Sequence, residues 1–260
     1  MGRIRRRIRR VWNTVAPGVP LPLRVSPGFW WIARRDAVSD ALFAGYFEPG
    51  ERGVFEGLVQ PGMTVIDVGA HAGLYTLSAS TLAGPVGRVI AFEPSPRERA
   101  HLVAHVRLNR CANVTVEPVA LGDSEGEADL FVVDSSETGC NSLRPGAIGP
   151  GHTVRVGLRT LDEYAKGSGL DRVDVIKMDV EGAELSVLRG ARSLFRTMRP
   201  VLLCEIEEAR TEPWGYGGRA IIDLLSEWQY DCFAIGESGA LTPVAADRLA
   251  FNGNYLARPR

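Results

Sequence analysis

No stretch of this sequence approaches the roughly eighteen consecutive apolar residues that a membrane-spanning helix requires. Its start also lacks the apolar centre of a secretory signal. Cysteine is sparse: Cys111, Cys140, Cys204 and Cys232 lie far apart and form no Cys-x-x-Cys pair. That spacing excludes zinc knuckles and dithiol redox motifs and fits a reduced, cytoplasmic setting. Acidic residues are missing from residues 1 to 10, which hold six arginines, so a net charge of −1 for the whole chain leaves −7 on the remainder. A mildly acidic body argues against nucleic acid as the main partner. There is no internal repeat, and the arginine-rich start is the only biased tract.

What is present is ordinary globular material. With 45% hydrophobic and 23% charged residues over 260 positions, the chain suffices for one large α/β domain and is short for two. The organising stretch is Val65-Ile66-Asp67-Val68-Gly69-Ala70-His71-Ala72-Gly73, which reads as a buried strand, a tight turn and a helix start. Dinucleotide sites use Gly-x-Gly-x-x-Gly to bring pyrophosphate against a helix N-terminus. Here the third glycine is absent and Asp67 precedes the turn. A carboxylate there repels pyrophosphate and suits an ammonium or sulfonium ligand. A second apolar run, Arg88 to Phe92, ends in Glu93-Pro94, where an acid can accept both hydroxyls of a ribose. Asp67, Gly69, Gly73 and Glu93 thus describe a pocket for a cationic adenosyl ligand, S-adenosylmethionine. The competing reading is a Rossmann-like sheet whose glycines serve turns and whose acids cap helices.

Residues 1 to 16 read as a basic tail. If helical, it gathers Ile4, Ile8, Val11 and Trp12 on one face, a candidate for peripheral contact with an anionic membrane; the plainer expectation is a solvated tail. Residues 17 to 52 read as a hairpin turning at Ser26-Pro27-Gly28, then a helix from Asp36 to Phe43. Residues 53 to 260 form the main domain. Ser95-Pro96-Arg97-Glu98 is a capping box that starts a helix. Val114 to Val119 is a third strand ending in Ala120-Leu121-Gly122-Asp123. Leu121 can pack on an adenine and Asp123 can meet its amine, the alternative being a plain turn with Asp123 exposed. Within an insertion at 124 to 157, two extra strands flank the polar loop Ser135 to Gly151, a natural acceptor-recognition element. Strand four, Val173 to Met178, ends in Asp179-Val180-Glu181-Gly182-Ala183-Glu184. Strands follow at Pro200 to Ile206, Tyr230 to Ile235 and Phe251 to Ala257. His101 and His105, four apart on a helix, have no companion carboxylate and are expected on its exposed surface.

Taken in order, Asp67 to Gly73, Phe92-Glu93-Pro94, Ala120 to Asp123, Asn141-Ser142-Leu143, Arg159 to Asp162, Ile176 to Glu184 and Asn254 to Ala257 resemble the FkbM family of S-adenosylmethionine-dependent methyltransferases. The resemblance implies a class I methyltransferase (Rossmann-like) fold. That fold is α/β, a seven-stranded, mostly parallel sheet with helices on both faces, here with a hairpin insertion and a short N-terminal extension. It also implies O-methylation of a sugar, glycolipid or natural-product hydroxyl. The implied cofactor contacts are Asp67, Gly69, Ala70, His71, Gly73, Glu93, Pro94, Leu121, Gly122 and Asp123, with acceptor contacts from Asn141, Ser142, Glu205 and Asn254. The family usually has asparagine where this chain has His71.

Methyl transfer to oxygen is an in-line displacement in which the hydroxyl must lose its proton. Asp179, at a strand tip beside the glycine loop, is the first candidate to orient that hydroxyl or accept the proton, and Glu181 the second. Helix capping is the alternative role for both. Asp179 and Glu205 could offer oxygen ligands to Mg²⁺, but no full ligand set is visible and no metal is expected. Two other functions fit the pocket less well: a membrane-peripheral module that binds the cofactor without catalysis, and a nicotinamide-dependent oxidoreductase.

Overall fold

The computed structural model of the protein describes residues 21–34, 36–134, 140–144, 149–245 and 250–260, together with Trp12, Thr14 and Val19. The membrane-contact expectation for residues 1 to 12 therefore lies outside the described residues, apart from Trp12, as do 135–139 and 145–148 of the polar loop.

The chain begins with a hairpin, β1 (Leu21–Val25) and β2 (Phe29–Ala33), and two helices, α1 (Ala37–Ala44) and α2 (Pro49–Leu58). Next come β3 (Thr64–Val68), α3 (Leu74–Ala83), β4 (Arg88–Phe92), α4 (Pro96–Leu108), β5 (Val114–Glu117) and β6 (Val119–Leu121). After β7 (Gly126–Val133) and β8 (Gly151–Arg159) follow α5 (Leu161–Gly167), β9 (Val175–Met178), α6 (Glu184–Arg189), α7 (Arg192–Thr197) and β10 (Val201–Glu207). The chain closes through α8 (Glu208–Thr211), a 3₁₀ turn, α9 (Gly218–Glu227), β11 (Tyr230–Ile235), β12 (Leu241–Pro243) and β13 (Asn252–Pro259).

The main sheet runs β12-β11-β13-β10-β9-β3-β4-β5. Strands β3, β4, β5, β9 and β10 are parallel, and β13 lies antiparallel between β10 and β11. Seven of these strands match the class I methyltransferase arrangement. The short β12, paired antiparallel to β11, makes an eighth described strand, which is one more than expected. The order reverses between β3 and β9, and at such a switch point the connecting loops part and leave a crevice beyond the strand tips.

Apolar side chains alternate to both faces and pack two cores. One gathers Ile66, Ile90 and Ile176 under α5, α6, α7 and α9; the other gathers Val65, Val89, Val175, Leu203 and Leu256 under α2 and α3. Each such side chain contributes about 1.5–3 kcal/mol by leaving water. Two charged exceptions, Asp67 and Lys177, are buried and sit opposite each other across the β3–β9 ladder.

Several sequence expectations change here. Pro118 has no N–H to donate and ends the third strand at Glu117. The chain re-forms as β6 in a separate three-stranded sheet ordered β6-β8-β7, so the inserted hairpin gains a third strand parallel to β8. Helix α2 runs through the expected boundary at 52/53, with Pro49 in its first turn. The box at Ser95 is wired differently: its hydroxyl donates to Glu98 and its N–H donates to Glu93 Oε1 at 2.8 Å.

His105 is buried rather than exposed. Its ring stacks on Trp31 at 4.2 Å, Nδ1 donates to Ala72 O at 2.8 Å, and Nε2 accepts from Ile32 N at 2.9 Å. Burial lowers its pKa, and this bonding is that of the neutral imidazole. The partner that covers it comes from β2, far away in sequence. The hairpin and α1 thus pack, through Phe29, Trp31 and Leu42, on Ala72, Leu74 and Leu77 behind the glycine loop.

Gly190 ends α6, and a Cβ there would stand 1.9 Å from Gly122 O. Because that neighbour is backbone, Gly190→Ala should cost about 3 kcal/mol, read as a lower urea midpoint at unchanged m-value.

Candidate active site

A cavity of about 490 Å³ opens at the tips of β3, β4 and β9. Its first wall is the glycine loop. Gly69 has φ +79, and a Cβ there would lie 1.8 Å from Asp179 O, so no side chain fits. The N–H groups of Gly69 and Ala70 both donate to Phe92 O at 3.0 Å, which ties the loop to the tip of β4. His71 sits at φ +50; asparagine and histidine both tolerate this left-handed region, which accounts for one standing in place of the other. The His71 N–H donates to Glu93 Oε2 at 2.7 Å.

Asp67 Oδ2 accepts from Thr76 Oγ1 at 2.5 Å. Burial pushes Asp67 up to about 6 and Glu93 up to about 8, despite the two backbone N–H groups that Glu93 accepts. Both carboxyls are held in a poorly solvated wall, so a cationic ligand would let them ionise. Phe92, Leu121, Leu130 and Leu143 add an apolar wall suited to a flat base.

The cavity is also strongly acidic. Asp179, Glu181 and Glu205 face the cavity with Glu48 from the loop before α2. Glu181, at φ +53, pairs with Arg210 Nε at 2.9 Å. Burial, then the Asp179 charge, pushes Glu181 up to about 8. The Asp179 charge, then burial, pushes Glu205 up to about 10, so Glu205 keeps its proton beside Asp179. Glu48, also at positive φ, accepts from the Tyr75 hydroxyl at 2.6 Å. Lys177 Nζ lies 3.8 Å from Asp179 Oδ2 and 5.0 Å from the Tyr75 ring centroid. Among the described residues no three carboxylate, imidazole or thiolate groups are arranged as metal ligands.

Of the predicted residues, Asp67, Gly69, Ala70, His71, Glu93, Pro94, Leu121, Asn141, Asp179, Glu181 and Glu205 line this one cavity. Five do not. Gly73 caps α3, and its missing side chain makes room for Leu102. Gly122 donates to Arg159 O at 2.9 Å, and Asp123 is exposed, its N–H on Ser186 Oγ at 3.1 Å. Ser142 is buried and donates to Glu181 O at 3.0 Å. Asn254 is buried opposite Glu205 in the β10–β13 ladder. Asp179 does not cap the next helix either, since α6 starts at Glu184 after Ala183. Glu48, Tyr75 and Lys177 were missed; of these only Lys177 left a signal, as a lone charge inside an apolar strand.

The profile of the Methyltransferase FkbM domain matches residues 67–232. The chain belongs to the FkbM methyltransferase family. It is 29% identical over 203 residues to the AMB antimetabolite synthetase AmbE of Pseudomonas aeruginosa, covering 65% of this chain and 9% of that protein. It is 24% identical over 188 residues to the 2-O-methyltransferase NoeI of Sinorhizobium fredii, covering 66% and 74%. To the hexuronic acid methyltransferase AglP of Haloferax volcanii it is 28% identical over 169 residues, covering 62% and 60%. The FkbM domain is an S-adenosylmethionine-dependent methyltransferase domain, and the cavity suits that cofactor: two buried acids for its cationic and ribose parts, a glycine loop for close approach, and an apolar wall. No helix among the described residues is long and apolar enough to cross a membrane.

A carboxyl whose pKa is raised on folding binds its proton more tightly in the native state, so stability is lost as pH rises from the ordinary carboxylate range towards about 8. Thermal melts of the ligand-free protein should show a midpoint that falls between about pH 5 and pH 8, and Glu93→Gln should flatten part of that fall.

Proposed function

We propose that the protein transfers the methyl group of S-adenosylmethionine to a hydroxyl of a sugar, glycolipid or natural-product acceptor. The observation that carries this is a single cavity in which the buried acids Asp67 and Glu93, the glycine loop and the carboxylate of Asp179 come together. In this reading Glu93 takes the ribose hydroxyls, Asp67 favours the cationic portion, and Gly69 to His71 border the amino-acid part. Leu121 packs on the base. Asp179 accepts the hydroxyl proton, a role worth typically 10²–10⁴-fold in rate. Glu181 supports it as the second carboxylate. Asn141 and Glu205 border the acceptor, while Ser142 and Asn254 act from behind, Ser142 by fixing the peptide of Glu181. The printed names of NoeI and AglP, a 2-O-methyltransferase and a hexuronic acid methyltransferase, favour a sugar hydroxyl.

The protein should bind S-adenosylmethionine in a calorimeter, and Asp67→Ala and Glu93→Ala should each weaken binding tenfold or more. Unaltered affinity in both variants would overturn the assignment. With radiolabelled methyl donor at saturation and a panel of free, lipid-linked and natural-product hydroxyl acceptors, Asp179→Asn should slow transfer about a hundredfold or more.

A further inference from the structure

Among the described residues Lys177 is the only lysine or arginine that is fully buried, at 2% exposure, and the methyl-transfer reading gives it no role. The sequence holds 28 arginines and two lysines, Lys166 and Lys177. Lys166 is a solvated residue of α5. A chain that uses arginine almost everywhere else therefore places a lysine at the switch point of its sheet. The two cations differ in what they hold: a guanidinium is a planar fork suited to carboxylates, whereas an ammonium is a compact point charge with three rotatable donors.

The ammonium is partnered by charge more than by hydrogen bonds. Asp179 Oδ2 at 3.8 Å is within ion-pair range but beyond hydrogen-bonding distance. Tyr75 presents only its ring face, its hydroxyl being committed to Glu48. Burial works against the charged form, but the nearby carboxylates, Asp179 first, outweigh it, and Lys177 stays protonated. Interiors rarely leave such donors unused. Lys177 lines the cavity, so its ammonium donors are within reach of a group bound there beside Asp179.

Building on the proposed methyl transfer, we infer that Lys177 is a further catalytic residue, whose ammonium donates a hydrogen bond to the acceptor oxygen while Asp179 receives that oxygen's proton. The O–H bond breaks towards Asp179, the O–CH₃ bond forms, and the S–CH₃ electron pair stays on sulfur. Lys177 keeps its three protons throughout. Its charge steadies the electron-rich oxygen, and Glu205, already protonated, leaves Asp179 as the open proton acceptor.

An ammonium at this point also opposes the positive sulfur of S-adenosylmethionine but not the neutral sulfur of S-adenosylhomocysteine. At an effective dielectric of about 20, repulsion between unit charges a few ångströms apart amounts to about tenfold or more in affinity. The full chain and its Lys177→Met and Lys177→Arg variants should be titrated with each nucleoside. The expected result is that Lys177→Met raises the ratio of S-adenosylmethionine to S-adenosylhomocysteine affinity by about tenfold or more, and Lys177→Arg keeps it near the wild-type value. An unchanged ratio in Lys177→Met overturns the inference. So does an equal loss of both, which would mean that Lys177 grips the amino-acid carboxylate they share. Should Lys177→Met not fold, the wild-type chain labelled with ¹³C-lysine gives two signals. The Lys177 signal should differ between the two saturated complexes while that of Lys166 does not; coincidence of the Lys177 signals overturns the inference. A wild-type chain that binds neither nucleoside would instead sink the methyl-transfer reading beneath it.

Discussion

The geometry at the mouth of the sheet depends on two buried charged side chains, Asp67 and Lys177, at facing positions of two strands that otherwise bury only apolar side chains. A charge taken out of water is costly unless hydrogen bonds or opposite charges compensate it. The neighbours answer that demand. Thr76 donates to Asp67, the Tyr75 ring and Asp179 flank Lys177, and Glu48 reaches in from the loop before α2 to take the Tyr75 hydroxyl. Because β3 and β9 are parallel and in register at these two residues, the charges sit where the strand order reverses and the crevice opens.

The N-terminal hairpin is part of the same construction. His105 bonds Ala72 of the glycine loop through one ring nitrogen and Ile32 of β2 through the other, so loop and hairpin share a single buried imidazole. Asn109 reinforces the join: its Oδ1 accepts from Trp30 N at 2.6 Å and its Nδ2 donates to Trp30 O at 2.8 Å, much as a neighbouring strand would. The segment before the main domain therefore fixes the back of the cofactor loop and supplies Glu48 to the cavity.

The strands and the cofactor loop were legible in the sequence because they rest on short-range rules. Apolar runs ending in Asp67, Glu93 and Asp179 mark strand tips, and Gly69 is required by the left-handed backbone of its own turn. The misses share a cause, which is dependence on a remote partner. Exposure of His105 could not be judged without β2, and Asp123 looked equivalent to Leu121 until Ser186 and the turn at 122 were placed. Glu48 enters the site through a left-handed backbone and a tyrosine 27 residues on, neither of which leaves a pattern. Pro118 was visible, yet one proline does not reveal that the chain changes sheets.

That change of sheets at Pro118 separates framework from tailoring. Leu121 and Leu130, which form the apolar wall, and Asn141, which also lines the cavity, all belong to the small sheet β6-β8-β7 or the loop it carries. Among the described residues, Ser142 donates to Glu181 O and Cys140 accepts from Arg210 Nη2 at 3.2 Å, while the loop's own ladder closes on Phe131. Length and sequence beyond Asp134 can therefore be exchanged while the eight-stranded ladder keeps every one of its rungs, which makes this satellite layer the natural graft point for redirecting the protein to a different acceptor.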